Sequence, residues 1–178
     1  MPRSGTRAPE LAIPVACLSA LRQALTAEVG PDTAARALRA AGHAAGDAWY
    51  PRIDGNDEAG AVSESRFWRR LSQLFHSHGW GSLTHEAVHP GVGALDANDW
   101  VEARPEAGES RPSCFFTTGL LANLLGNAAG SDVAVMEVEC RSQGDPRCRF
   151  LFGSADALNA LYARVSSGDA VDAALSKL

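Results

Sequence analysis

The sequence predicts an α+β fold: a small antiparallel sheet packed by helices. Two pairs of strand-like runs, 81–89 with 92–103 and 132–140 with 147–153, are each joined by a turn. The turn is His89-Pro90-Gly91 in the first and Gly144-Asp145-Pro146 in the second. Such hairpins make antiparallel pairs. Helical spacing of apolar residues precedes, separates and follows the hairpins, an order that differs from strict βαβ alternation. The length, 178 residues, suits one domain with a core that needs no disulfide support.

Residues 1–10 lack periodicity and are read as a disordered N-terminus. A single domain is expected over 11–178. It divides into a helical lead-in (11–50), a polar connector (51–62), a core (63–165) and a C-terminal helical segment (166–178). In the lead-in, Leu11, Val15, Leu18, Leu21, Leu25 and Val29 recur at helical spacing up to Gly30-Pro31. An alanine-rich helix follows from Pro31-Asp32 to Tyr50, before Pro51. Its Gly42 and Gly46 permit close helix–helix approach. Ser63 begins a third helix with an apolar stripe of Phe67, Trp68, Leu71, Leu74 and Phe75, stopped by Gly79. The first hairpin places Leu83, His85, Ala87 and His89 on one face; its second strand, which includes Trp100, alternates less clearly. A central helix spans about 112–126, with Pro112 at its start and Phe115, Phe116, Leu120, Leu121, Leu124 and Leu125 covering much of its surface. After the second hairpin, Ser154 caps a helix to about Val165, and Asp169 starts a short last one.

Lys plus Arg number 16 against 21 Asp plus Glu, a formal net charge of −5. That disfavours nucleic acid as a partner, because phosphate binding needs a basic face. No apolar run approaches the ~18 residues of a membrane span, and the N-terminus has no long apolar signal segment. A cytoplasmic location is therefore expected, where thiols stay reduced. Cys17 reads as a small buried apolar residue.

The other three cysteines frame the most informative stretch, 112–152. Cys140 and Cys148 are symmetric about Gly144, so a hairpin centred there sets them opposite one another. Cys114 opens the central helix, which reaches the same place if it folds back on the hairpin. Three converging soft ligands favour a metal. Buried metal-free thiols and a Cys140–Cys148 disulfide are the alternatives. Near a helix N-terminus, Cys114 has a setting that favours thiolate.

The run from Cys140 to Phe150, with its C-x7-C spacing around Gly-Asp, resembles the terminal hairpin of the four-vinyl-reductase domain. The segment from Cys114 to Leu125 is similar to that family's central helix, and Gly79-Trp80-Gly81 to the entry of its first strand. Residues 24–30 and 41–46 resemble its helical lead-in, so the likeness spans roughly 12–165. The resemblance implies a fold similar to transport-particle subunits and haem-nitric-oxide sensors, a small apolar ligand of the hydrocarbon-binding or aromatic-sensor type, and frequent dimers. It also implies a structural zinc ion on Cys114, Glu137, Cys140 and Cys148. Glu137 lies three residues before Cys140, so an ideal strand points the two to opposite faces. A bulge near 138–139 resolves the conflict, with Glu139 as the substitute ligand. In the family's aromatic sensors a tryptophan and a histidine hold phenol. Trp100 matches the tryptophan, but Phe75 stands at the histidine position, with His76 and His78 adjacent. That departure favours a more apolar ligand.

The ligand cavity is expected between the third helix, the first hairpin and the central helix, within reach of Phe67, Phe75, His78, Trp80, Trp100, Phe116 and Leu120. A filled aromatic core is the alternative. His85 and His89, about 13 Å apart along a strand at ~3.3 Å per residue, cannot share an ion. Neither a nucleophile triad nor a phosphate-binding loop stands out, so binding is expected in place of turnover. Three functions follow: a free-standing, zinc-stabilised sensor of an apolar or aromatic compound, a tetrapyrrole vinyl-reduction enzyme or accessory factor, and an interaction protein similar to transport-particle subunits. The sequence carries no DNA-binding or ATPase module, so sensor output is expected to run through a signalling partner. A homodimer is expected, with the small-residue face at Gly42 and Gly46 meeting a neighbour.

Overall fold

The computed structural model describes residues 11–54 and 63–178. The segments 1–10 and 55–62, expected as disordered N-terminus and as most of the connector, lie outside the described residues. Four strands form one sheet: β1 (Thr84–His89), β2 (Val92–Ala97), β3 (Ala134–Glu139) and β4 (Cys148–Gly153). Their order is β1-β2-β4-β3 and every neighbouring pair is antiparallel. The two hairpins thus join through β2 and β4. Alternation gives the sheet two faces. Leu95, Ala97, Cys148 and Phe150 face a first core, which includes Leu71, Phe75, Trp100, Leu120 and Leu124. Val92, Ala94 and Leu151 face a second, smaller one closed by Leu158, Leu161, Ala174 and Leu175.

Three helices build the first core: α2 (Pro31–Asp54), α3 (Glu64–Ser77) and α4 (Phe115–Ala129). Two others, α5 (Ala155–Ser166) and α6 (Val171–Leu175), cover the second face. The first of these begins with the Ser154 cap, whose hydroxyl accepts from the Ala157 amide at 3.2 Å.

Glycines bring α2 and α4 together. A Cβ on Gly42 would collide with the Phe116 carbonyl, one on Gly119 with the Arg39 carbonyl, and one on Gly46 with the Asn123 side chain. Gly42 and Gly46 are thus used inside the chain and are not free for a neighbouring copy.

Three boundaries differ from expectation. The second helix continues through Pro51 to Asp54, so the connector's first four residues are helical. Arg70 secures that end by donating to the carbonyls of Ile53 and Asp54 at 3.2 and 2.9 Å. The second strand ends at Ala97, leaving Trp100 in the following turn. There the Val101 amide donates to the Trp80 carbonyl at 2.9 Å. Lastly, α1 spans Ala16–Val29 and most of its apolar stripe is exposed, as is Cys17, which was expected to be buried.

Candidate metal centre and ligand cleft

Cys114 is the residue that directly precedes the first turn of α4. Cys140 directly follows β3, and Cys148 begins β4. Between them, Gly144 takes φ +96°, and the Cys140 amide donates to Asp145 Oδ2 at 2.8 Å. The loop before α4 docks on the same hairpin tip. Buried Ser142 accepts from the Arg104 amide through Oγ, and from the Glu109 amide through its carbonyl, both at 2.8 Å.

Glu137 enters this cluster through a bulge. It pairs with Phe150, whereas Glu139 pairs with the adjacent Arg149, so Val138 is the extra residue. The irregularity falls at the expected place and turns Glu137 toward Cys114, whose amide donates to Glu137 Oε2 at 2.8 Å. Glu139 is elsewhere, held by Arg147 through two bonds of 2.8 and 3.0 Å.

One donor atom each from Cys114, Glu137, Cys140 and Cys148 lies within 4.8 Å of the others, and all four residues are buried. Cys114 Sγ stands 3.9 Å from Cys140 Sγ and 4.0 Å from Cys148 Sγ. A disulfide needs about 2.05 Å, and the three are free thiols. Ligands about 2.3 Å from a tetrahedral metal are separated by an edge of about 3.8 Å, close to the observed spacing. Glu137 Oε1 is buried without a hydrogen-bond partner, the situation of a donor atom that awaits a cation. Burial, followed by the neighbouring Cys140 charge, pushes Glu137 up to about 9. Burial likewise lifts the Cys114 thiol well above its ordinary value. Burial thus disfavours the charged forms of Glu137 and Cys114 that a divalent ion would stabilise. The donor set fits a soft, tetrahedral metal.

The expected pocket residues divide into two groups. Phe75, Trp100 and Leu120 are buried in the first core, and the rings around them touch. Trp100 lies 5.1 Å from Phe75, and Trp80 lies 6.0 Å from Trp100 and stacks on Phe116 at 5.6 Å. The Trp100 indole N–H donates to Thr117 Oγ1 at 2.8 Å, and that hydroxyl donates to Glu102 Oε2. His78 is engaged as well. Its Nδ1–H donates to the Leu74 carbonyl at 2.7 Å, so Nε2 accepts from Arg52 at 3.1 Å. The polar groups of Trp100 and His78 thus both bond to protein.

Phe67 belongs to a different place. A cleft of about 570 Å³ opens between the end of α2, the start of α3, the last turn of α4 and strand β4. Its walls include Phe67, Trp68, Leu125, Val133 and Phe152, with Tyr50, Asp54 and Glu64 among its polar groups. Trp68 is fixed by its indole N–H, which donates to Glu64 at 3.1 Å, and by stacking on His85 at 3.8 Å. Sequence reasoning missed Tyr50, Trp68 and Phe152 as lining residues. The signals were present: Trp68 follows Phe67 in the stripe of α3, and Phe152 alternates with Phe150.

Residues 98–154 match the family model of the four-vinyl-reductase domain, a stretch that holds both hairpin cysteines, Glu137 and all of α4. Among solved structures, the chain is similar to the phenol-responsive sensory domain of the transcription activator PoxR, crystallised with phenol. The TM-score is 0.73 at 18% identity, covering 90% of this chain and 84% of that one. It is also similar to a vinyl-4-reductase family protein from Methanocaldococcus jannaschii. There the TM-score is 0.56 at 19% identity, with 80% and 82% covered. No curated protein matches the chain. The four-vinyl-reductase resemblance read from the cysteine hairpin and central helix therefore stands, and the α+β architecture is that of the PoxR sensory domain. No described helix is long and apolar enough to cross a membrane.

Proposed function

We propose that the chain is a small-molecule-binding module: the cleft beside Phe67 takes one apolar or aromatic compound, and a zinc ion staples the Cys114, Glu137, Cys140 and Cys148 cluster. The cleft carries this reading. It is concave, mostly apolar and furnished with a few polar groups, the usual anatomy of a ligand site. The likeness to a phenol-responsive sensory domain supports the same class. When bound, zinc with four protein ligands supplies a closed tetrahedral cross-link and no open position for chemistry. The chain's own residues do the rest: Glu137 and the thiols would release their protons to water on taking up the ion, and the Cys114 amide orients the carboxylate. A homodimer and a downstream signalling partner in the cytoplasm complete the proposal.

The test is native mass spectrometry of the full chain purified from its host, with tryptophan fluorescence titration against aromatic and aliphatic compounds and product analysis alongside. One zinc per chain and saturable quenching without turnover are expected. Turnover would move the protein to the enzyme class. A panel with no binder would favour the interaction-protein reading, which the filled aromatic core around Trp100 supports. Metal removal by a strong chelator should lower the melting temperature, because metal binding contributes to folding free energy. An unchanged melting temperature on removal of measured zinc would count against a structural role.

A further inference from the structure

We propose that the ligand of this cleft is an arylalkylamine in the ammonium form, bound between ring faces and two carboxylates. The proposal rests on the reading of this cleft as the ligand site. Four aromatic side chains line it, Tyr50, Phe67, Trp68 and Phe152, and its only charged lining residues among those described are Asp54 and Glu64. The rings are not coplanar: Phe67 meets Trp68 edge-on at 4.9 Å and 72°, and Trp68 and Phe152 are tilted by 47° at 5.6 Å. One face of Trp68 is taken by His85, and a ring face left free toward the cleft attracts a cation.

The backbone adds to the field. Leu125, Ala128 and Ala129 at the end of α4 line the wall, so the negative end of that helix lies beside the cleft; the Gly130 and Ser131 amides cap its Asn127 and Gly126 carbonyls, and its last turn holds no basic residue. The α2 end is also close, but Arg70 already covers its carbonyls. The positive end of α3 is offset by Glu64 in its first turn. Behind Trp68, His85 is held below its usual pKa by burial, against the raising effect of Glu64. Burial thus disfavours a second cation at the imidazole stacked on the indole. A phenol would gain none of this electrostatic advantage, and a carboxylate ligand would be repelled.

Three soluble probes with one shared ring separate charge from shape: 2-phenylethylammonium, 2-phenylethanol and phenylacetate, titrated against the full zinc-loaded chain by tryptophan fluorescence and calorimetry. The ammonium should bind at least tenfold tighter than the alcohol, and the carboxylate weaker than both. In the Glu64→Gln, Asp54→Asn double variant the ammonium-to-alcohol ratio should fall below threefold while the alcohol's affinity holds. The Glu64→Gln change keeps a side-chain oxygen for the Trp68 indole N–H, and an unchanged melting temperature checks the fold. Equal or tighter binding of the alcohol or carboxylate would overturn the cation preference but leave the cleft as a ligand site. Retention of the preference in the double variant would overturn the assigned carboxylates. Failure of all three probes, with the wider panel also silent, would overturn the ligand site itself.

Discussion

Gly119 and Cys114 mark the same helix and show two kinds of necessity. Gly119 is required by space: its missing Cβ is where the Arg39 carbonyl lies, and backbone cannot swing aside as a side chain can. Gly119→Ala should therefore separate α2 from α4, at a cost of about 1–3 kcal/mol or more, although alanine is the better helix former by up to ~1 kcal/mol. Urea unfolding would measure it, and a variant as stable as the parent would show that the helices can move apart freely. Cys114 is required by chemistry. A serine there has nearly the same shape but is a poor ligand for a soft metal. We expect Cys114→Ser to lower zinc content below one per chain and to lower the melting temperature with it. A metal-replete variant would remove Cys114 from the donor set.

The start of α4 is the element on which site and core depend, and its anchor is a residue that the sequence does not advertise. Glu102 lies in the turn after β2 and accepts from the Phe116 and Thr117 amides at 2.9 and 2.8 Å. It thus satisfies two amides that the first turn of a helix leaves without partners. Burial pushes its carboxyl up, while the bonds from Thr117 and Phe116 pull the other way. Glu102→Ala should cost about 1–3 kcal/mol by stranding those amides, and Glu102→Gln should cost less, since one amide oxygen still accepts. Equal stability of all three proteins would mean that water replaces the carboxylate without loss. This cap was illegible for a plain reason: it reaches from Glu102 to Phe116 and Thr117, far beyond the local spacing of a capping box. Hairpins and helices were legible because their signals are local, and Cys140 and Cys148 because turn symmetry places them on the two sides of one hairpin tip. Glu137 needed the bulge at Val138, which strand periodicity alone cannot supply. The Trp100 region was ambiguous because aromatic density is the same for a filled core as for a cavity. Only packing in three dimensions shows that the rings fill one another's space there, and that the open cleft lies beside Phe67 and Trp68.

The molecule as a whole has an apolar surface that its described residues leave uncovered. Leu11, Val15, Leu21 and Val29 of the N-terminal stripe are 84%, 46%, 51% and 47% exposed, and Ile13 is 51% exposed. The opposite side of α1 rests on the rest of the chain, where buried Ser19 lies and Arg22 pairs with Glu109 at 2.6 Å. The expected route to a dimer through Gly42 and Gly46 is closed, because those residues pack α2 on α4. The stripe of α1 takes its place as the surface to test. At about 1.5 Å per residue its 14 helical residues extend about 21 Å. A stripe of that length and roughly 10 Å width offers on the order of 200–400 Å² per partner, short of the ~800 Å² of a standard interface. A dimer built on α1 alone should consequently be concentration-dependent and not permanent. Sedimentation from about one to about one hundred micromolar should show the average mass rising toward twice the 18.7 kDa chain. Leu21→Glu should shift that rise to higher concentration without changing zinc content, since α1 provides no ligand to the metal cluster. A parent chain that stays monomeric throughout would refute the dimer, and a dimer indifferent to Leu21→Glu would place the interface on another surface.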